Sequence, residues 1–382
     1  MDFDLTSEQR AIQSLAREFA RGEVRPRAQD MDREERFPYD LVAKMGELGF
    51  FGLPFPQEYG GIGADTTSYA LAVMEIARAD ASTAITLAAA VSLGAMPFYR
   101  FGTKEQKERY LVPLVQGKQL WGFGLTEPEA GSDAGNCKTR ARLENGEWIV
   151  DGTKAFITNS GTEITGGTTI TAVTGVRADG KPEISNIVVE QATPGFSRSK
   201  KYRKMGWRAS DTRELSFAGA RVPQGALLGE RGEGLRQFLT ILDGGRISVA
   251  ALSIGLAMGA YDEALAYAKE RRAFGQAVSS FQAIQFKLVD MIAQIEHAQL
   301  MMLKAAWERD NERDYVYSAS LAKLYAGEVS RRVVNDAVQI HGGYGFIEEY
   351  PVSRMYRDQK INEIGEGTNE IQRMILAKLI GL

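Results

Sequence analysis

The chain is predicted to be a multidomain α+β protein in which a helical domain, a β domain and a second helical domain follow one another. Three observations predict it. Apolar residues recur at helical spacing from Leu5 to about Gly117. Short β-branched and aromatic runs, separated by Gly, Asp and Asn, fill about Leu120 to Gly229. Longer apolar stripes at helical spacing return from about Gly234. The boundaries are set at 1–118, 119–229 and 230–382, and 382 residues suffice for two or three domains with a sizeable core.

The first domain opens with Thr6-Ser7-Glu8-Gln9, which fits a capping box, and continues through Ile12, Leu15, Ala16 and Phe19. Pro54, Pro56 and Gly60-Gly61-Ile62-Gly63 interrupt it. The uncharged stretch from Ala81 to Tyr99 is mostly Ala, Ser, Thr and Gly, which suits a closely packed buried helix better than a membrane span. In the second domain, Trp148-Ile149-Val150, Ala155-Phe156-Ile157-Thr158, Thr168 to Val173, Ile187-Val188-Val189 and Leu215-Ser216-Phe217 read as strands of a small antiparallel sheet or barrel. Asn145-Gly146 and Asp151-Gly152 are expected tight turns. In the third, Ile247, Ala251, Ile254, Met258 and Leu265 form one stripe. Ile284, Leu288, Met291, Ile295 and Met302 form a second, and Ala322, Tyr325, Val329 and Val333 a third. Long amphipathic helices with short breaks imply an antiparallel bundle, with Met as core filler.

Composition excludes several classes. With 46 basic and 49 acidic residues, nothing asks for nucleic acid or an anionic membrane. One cysteine, Cys137, excludes an intramolecular disulfide and a thiolate metal cluster, and no metal site is expected. Met1-Asp2-Phe3-Asp4 lacks a basic or apolar leader, so a cytoplasmic protein is expected. There is no GxGxxG after a strand and no GxxxxGK[ST], so a dinucleotide is not held in the Rossmann manner. Neither internal repeats nor low-complexity tracts occur.

Two histidines leave little for a triad or a His-metal site. The candidate for proton chemistry is Glu366, a carboxylate between Gly365 and Gly367 in Asn362-Glu363-Ile364-Gly365-Glu366-Gly367-Thr368-Asn369. A glycine-flanked turn brings a carboxylate close to a ligand, and burial makes it a base working near neutral pH. Thr126-Glu127-Pro128 with Gly131-Ser132-Asp133 offers backbone N–H and hydroxyl donors to a polar ligand, and Phe156-Ile157-Thr158-Asn159 pairs an aromatic strand with two hydrogen-bonding side chains. His341 in a glycine-rich turn reads as packing, His297 as surface or satisfied core, and the basic run from Arg198 to Arg208 as a solvated loop and strand.

Those segments, together with Asp151-Gly152-Thr153-Lys154, Gly206-Trp207-Arg208-Ala209-Ser210-Asp211-Thr212, Arg271-Arg272-Ala273-Phe274-Gly275, Gln339-Ile340-His341-Gly342-Gly343-Tyr344-Gly345 and Glu366-Gly367-Thr368, stand in one order along the chain. In this the chain closely resembles the acyl-CoA dehydrogenase family, over essentially its whole length. The resemblance implies a helical N-terminal domain, a β-barrel-like middle domain and a C-terminal four-helix bundle. It implies FAD bound between the middle and C-terminal domains and partly against a neighbouring subunit of a homotetramer. It also implies oxidation of a saturated acyl-CoA to the trans-2-enoyl-CoA, with electrons passed to electron-transfer flavoprotein.

Residue by residue, the resemblance makes Glu366 the base that removes the α-proton while hydride leaves the β-carbon for the flavin. It assigns Phe123, Leu125, Thr126 and Ser132 to the flavin and the pantetheine arm, and Phe156, Ile157 and Thr158 to the isoalloxazine ring. Arg271, Phe274, Phe281 and Gln282 match positions reaching FAD across a subunit interface; Gln339, Gly342 and Gly343 match its adenine side. Thr368, Asn369 and Glu370 match positions beside flavin and phosphates. Leu242, Asp243 and Arg246 match a CoA-contacting stretch, and Gly367 a thioester neighbour. Some relatives carry the base at the position of Gly245, so Glu366 argues for the short/medium-chain, butyryl-type branch. Glutaryl-type relatives place an arginine in the N-terminal helix to hold the distal carboxylate; none lies between Asp80 and Tyr99, so a glutaryl-type decarboxylating role is disfavoured. Phe156 stands where the family usually has tryptophan. Gly244-Gly245 either enlarges an acyl cavity or permits close helix packing, the commoner use. An oxidase reoxidised by O2, and a non-catalytic CoA-binding scaffold, are the alternatives.

Overall fold

The computed structural model describes residues 4–382; residues 1–3, part of the reading of a leaderless start, lie outside the described residues. The capping box forms as expected: Thr6 Oγ1 accepts from the Gln9 N–H at 3.1 Å and Gln9 Oε1 from the Thr6 N–H at 2.9 Å. The N-terminal helices pack around Thr66–Ala79, which is buried along almost its whole length. The uncharged stretch is a buried helical run in three parts, Ala81–Ala89, a π-helical turn Ala90–Ala95, and Met96–Phe101. It and Gly234–Glu270 are long and apolar enough to cross a membrane, but 94% and 78% of their apolar windows lie inside the fold. Here they are core helices.

Eight strands follow: β1 Leu120–Gly124, β2 Arg140–Glu144, β3 Glu147–Thr158, β4 Thr165–Val176, β5 Pro182–Glu190, β6 Phe196–Arg198, β7 Thr212–Pro223 and β8 Leu227–Leu228. Their path is β6-β7-β3-β2-β4-β5-β8, with β1 also on β4. The sheet is mixed, which corrects the antiparallel expectation. β1 runs parallel to β4 from Leu120↔Thr165 to Gly124↔Ile170, and β2 meets the same edge of β4 in parallel at Arg140↔Val173. Two strands thus share one edge of β4, one after the other along its length.

Asn145-Gly146 makes the expected β2–β3 turn, both residues having positive φ (51° and 81°). Asp151-Gly152 does not turn. Both lie inside β3, where the register shifts between Val150 and Gly152, and a Cβ on Gly152 would sit 2.5 Å from Thr139 Oγ1. The glycine there serves close backbone approach, not chain reversal.

In the C-terminal bundle, Gly234–Glu270, Gln282–Asp310 and Val316–His341 pack mutually, and Asn369–Leu379 closes against the last of them. Gly234–Glu270 also lies on Thr66–Ala79, so the two helical parts share a core. Close contact there uses Gly255 and Gly259, whose Cβ atoms would fall 2.1 Å from the Met74 carbonyl oxygen and 2.3 Å from that of Arg78. The basic segment is only partly solvated, contrary to expectation. Lys204 Nζ donates to the Ser210 carbonyl at 2.8 Å, and Arg208 turns toward Asp32 at 3.9 Å. Burial brings the Lys204 ammonium down to about 8. Nearby, Arg354 pairs with Asp80 at 2.8 Å, Arg357 with Asp32, and the Trp207 N–H donates to Asp358 at 2.6 Å. This ionic knot ties the β domain's long loop to both helical parts.

Candidate active site

The Gln359–Glu363 3-10 helix is followed by a turn in which Glu366 has φ +52° and Gly367 φ +91°. Two successive left-handed residues reverse the chain in the least space, and the non-glycine one costs about 1–2 kcal/mol. Thr368 then caps Asn369–Leu379, its Oγ1 accepting from the Ile371 N–H at 3.2 Å. The turn's carbonyls are pinned. Lys323 Nζ donates to the Gly367 carbonyl at 2.7 Å and Gln372 Nε2 to the same oxygen at 3.1 Å.

The Glu366 carboxylate is not pinned. The residue as a whole is half-buried, yet both carboxylate oxygens are inaccessible and neither has a hydrogen-bond partner. Burial without a donor disfavours the anion and raises the carboxyl to about 7, with Lys323 and Arg246 pulling in the opposite direction. Lys323 is fully buried and comes down to about 8 for the same reason, Glu366 opposing the shift. Arg246 is held by Asp243 Oδ1 at 2.7 Å and Ser320 Oγ at 3.1 Å.

Gly245 explains how the carboxylate fits. A Cβ there would lie 2.1 Å from Glu366 Oε2, and a Cβ on Gly244 2.7 Å from Arg309 Nη1. This pair of glycines makes room for the ends of two side chains and not for a neighbouring helix backbone, so the expectation of helix packing is corrected. Gly244 and Gly245 also line a narrow cavity with Tyr69, Val91, Ile241 and Arg309 among its walls.

The structure thus brings together Glu366, Gly367, Arg246, Asp243 and Asn369, with Lys323 donating to Asn369 Oδ1 at 3.3 Å. Leu242 is half-buried one residue away, and Glu370 is exposed on the first turn of its helix. A second group gathers on the β domain. Phe123 stacks on Phe238 with centroids 3.9 Å apart, and Leu125 is buried beside it. The Thr126 carbonyl accepts from the Ala155 N–H at 2.9 Å, next to Phe156. Phe156 has φ +60° and is 67% exposed, a bare ring leaning on Tyr202, while Ile157 is buried and Thr158 half-buried. Ser132 lies on an exposed loop.

A third group lies apart from both. Arg271, Gly342 and Gly343 line a cavity of about 480 Å³ with Tyr267, His341 and Tyr344. His341 is stacked on Tyr267 and bonded through Nδ1 to the Ala337 carbonyl at 2.8 Å, a packing role as expected; His297 is exposed. Gln339 is exposed just outside, and Phe274 meets Phe281 edge-on at 6.0 Å with Gln282 exposed beyond. Among the described residues no ion pair engages Arg271, which lies over the Tyr344 ring at 5.5 Å. An unpaired guanidinium beside bare backbone at Gly342 and Gly343, where a Cβ would meet nothing within 4 Å, suits a diphosphate. With the open Phe156 platform, the donor set fits a flavin dinucleotide.

Lys323 and Arg309 were not among the site residues expected from sequence. Lys323 could have been found as a cation on an apolar helix face, between Ala322 and Ala326.

Three family models match: the acyl-CoA dehydrogenase N-terminal domain over residues 6–118, the middle domain over 122–220 and the C-terminal domain over 232–381. The chain belongs to the acyl-CoA dehydrogenase family. It is 52% identical over 378 residues to a probable acyl-CoA dehydrogenase, YngJ, of Bacillus subtilis, covering 99% of each chain. It is similar to the butyryl-CoA dehydrogenase structure from Megasphaera elsdenii, with a TM-score of 0.96, 42% identity and full coverage of both chains. An acyl-CoA dehydrogenase from Bacillus anthracis complexed with FAD gives a TM-score of 0.91 and 36% identity, over 99% of this chain and 68% of that one.

Proposed function

We propose that this chain is an FAD-dependent enzyme that converts a saturated short- or medium-chain acyl-CoA to the trans-2-enoyl-CoA, with Glu366 as the base. The observation that carries the reading is a buried carboxylate free of hydrogen bonds, raised to about 7, on a turn that rests against Gly245, a wall of the narrow cavity. Such a group takes a proton at neutral pH without first breaking a bond. FAD, when bound, supplies the two-electron acceptor for the hydride leaving the β-carbon.

The chain's own residues do the rest. Among the described residues the Glu366 N–H donates no hydrogen bond, so it is free to hold the thioester oxygen as negative charge develops there. Lys323 fixes the turn through the Gly367 carbonyl, and its charge with that of Arg246 lowers the cost of the carboxylate. Asp243 and Arg246, with Leu242 and Ser132, bind the CoA arm. Phe123, Leu125, Thr126, Phe156, Ile157 and Thr158 cover the flavin. Thr368, Asn369 and Glu370 lie along it, Gln339, Gly342 and Gly343 pack on the adenine side, and Arg271, Phe274, Phe281 and Gln282 serve the FAD of a neighbouring copy. Phe274 at 95% and Phe346 at 89% exposed support that assembly, since apolar side chains so open call for cover. The same reading takes the division at 118/119 and 229/230, a homotetramer, electron-transfer flavoprotein as acceptor and a cytoplasmic setting.

Anaerobic titration of the yellow protein with a panel of acyl-CoA thioesters tests it. Bleaching of the flavin is expected. Purified protein that stays colourless after FAD addition would favour a scaffold, and rapid turnover with O2 alone an oxidase.

A further inference from the structure

We infer that the acyl cavity selects a thioester whose far end carries a carboxylate, bound by Arg309. The inference rests on the thioester reading above and names the substrate class within it.

Arg309 comes from the last turn of Gln282–Asp310, far in sequence from the turn that holds Glu366. It lines the same cavity as Gly244 and Gly245, and Gly245 is the residue against which the Glu366 carboxylate rests. Base and guanidinium therefore rest against two adjacent glycines, Gly245 and Gly244, that both wall this cavity. The end of the arginine's helix is tied down: Asp310 accepts from the Thr66 N–H at 2.7 Å and from the Thr67 N–H and hydroxyl, both at 3.1 Å. The guanidinium itself makes no hydrogen bond or ion pair among the described residues; its one partner is the Tyr315 ring, 5.8 Å from Cζ.

The remaining walls do not answer it. Pro54, Val91, Met96 and Ile241 are apolar, and Thr66, whose N–H is taken by Asp310, offers one hydroxyl and no charge. The Tyr69 hydroxyl and Ser92 Oγ already donate to the Ala88 carbonyl, at 3.2 and 2.6 Å. A half-buried cation without acceptors is costly, and an alkyl terminus pressed against it would deepen the cost. A carboxylate answers both charge and hydrogen-bonding capacity, and arginine's fork suits it best. The cavity is also narrow, with free space of about 10 Å³, room for about one water, so an acyl end reaches the guanidinium only as the walls give way. The lack of an arginine between Asp80 and Tyr99 is thus no argument against an acidic acyl end, because another helix supplies one.

The test compares flavin bleaching by glutaryl-CoA and adipyl-CoA with that by pentanoyl-CoA, hexanoyl-CoA and the monomethyl ester of adipyl-CoA. The wild-type protein and the Arg309→Met and Arg309→Lys variants are used, each with FAD content checked. Binding of the same thioesters to Glu366→Gln protein, by calorimetry, gives a readout independent of turnover. Wild-type kcat/KM should favour the carboxylate-ended thioesters. Arg309→Met should erase that preference by about 10- to 150-fold, the usual worth of a hydrogen bond to a charged group, and Arg309→Lys should restore part of it. Equal rates for adipyl-CoA and its methyl ester, or an equal effect of Arg309→Met on every thioester, would overturn the inference. Bleaching by pentanoyl-CoA but not glutaryl-CoA would overturn it and leave the dehydrogenase reading standing. FAD-loaded protein bleached by no thioester would overturn both.

Discussion

Glu366→Gln separates the electrostatic state of the base from its chemistry. In the folded chain the carboxyl sits at about 7 because its two oxygens are buried without donors. In the unfolded chain it returns to its ordinary value of 4.5. The native state therefore holds the proton more tightly than the unfolded state between those values, and stability falls as pH rises through that window. A difference of about 2.5 pKa units is worth about 3 kcal/mol once both states are ionised. Glutamine cannot ionise, so the variant escapes this loss, although its buried amide brings a fixed cost at every pH. The clean quantity is a double difference. Urea denaturation of FAD-loaded wild type and Glu366→Gln, at pH 5 and pH 8 and fixed protein concentration, should show the stability gap moving in the variant's favour by about 2.5 kcal/mol at the higher pH. An unchanged gap would refute the reasoning, because it would mean that the carboxylate is solvated or paired in the native state.

Three further outcomes follow from the same geometry. Gly245→Ala puts a Cβ where Glu366 Oε2 now lies; the fold and FAD content should survive, since only a side-chain end must move, while flavin reduction slows at least about tenfold as the base is displaced. Lys323→Met removes the cation that most lowers the Glu366 carboxyl, so the ascending limb of the reduction rate against pH should shift to higher pH; a shift to lower pH would contradict the assignment. Arg271→Gln should weaken FAD retention by about 10- to 150-fold in dialysis or fluorescence titration, the worth of one charge-assisted contact to a diphosphate.

Local signals in the sequence carried much of this fold. The Thr6–Gln9 capping box and the Asn145-Gly146 turn depend on neighbours in the chain, and both form as read. Asp151-Gly152 shows the limit. The same dipeptide chemistry serves a turn or a bulge, and Thr139, packed across from Gly152, decides between them. The parallel seat of β1 on β4 was likewise hidden, because strand direction is set by the long connection and leaves alternation unchanged. At the site, the Glu366 turn was legible from its glycines, whereas Lys323 and Arg309 reach it from other helices. What Gly244 and Gly245 do was out of reach for the same reason: a glycine records that space is needed without saying for whom.

The central claim is that Glu366 takes the proton when an acyl thioester reduces the flavin. Single-turnover mixing of FAD-loaded protein with an acyl-CoA it oxidises, without oxygen and across pH 5.5 to 9, tests it most directly. Wild type should bleach at a rate that rises with pH and levels off above about 7, as the carboxyl ionises. Glu366→Gln should bind the same thioester and leave the flavin oxidised. Bleaching of the variant at a near-normal rate, or a wild-type rate flat across that range, would contradict the claim.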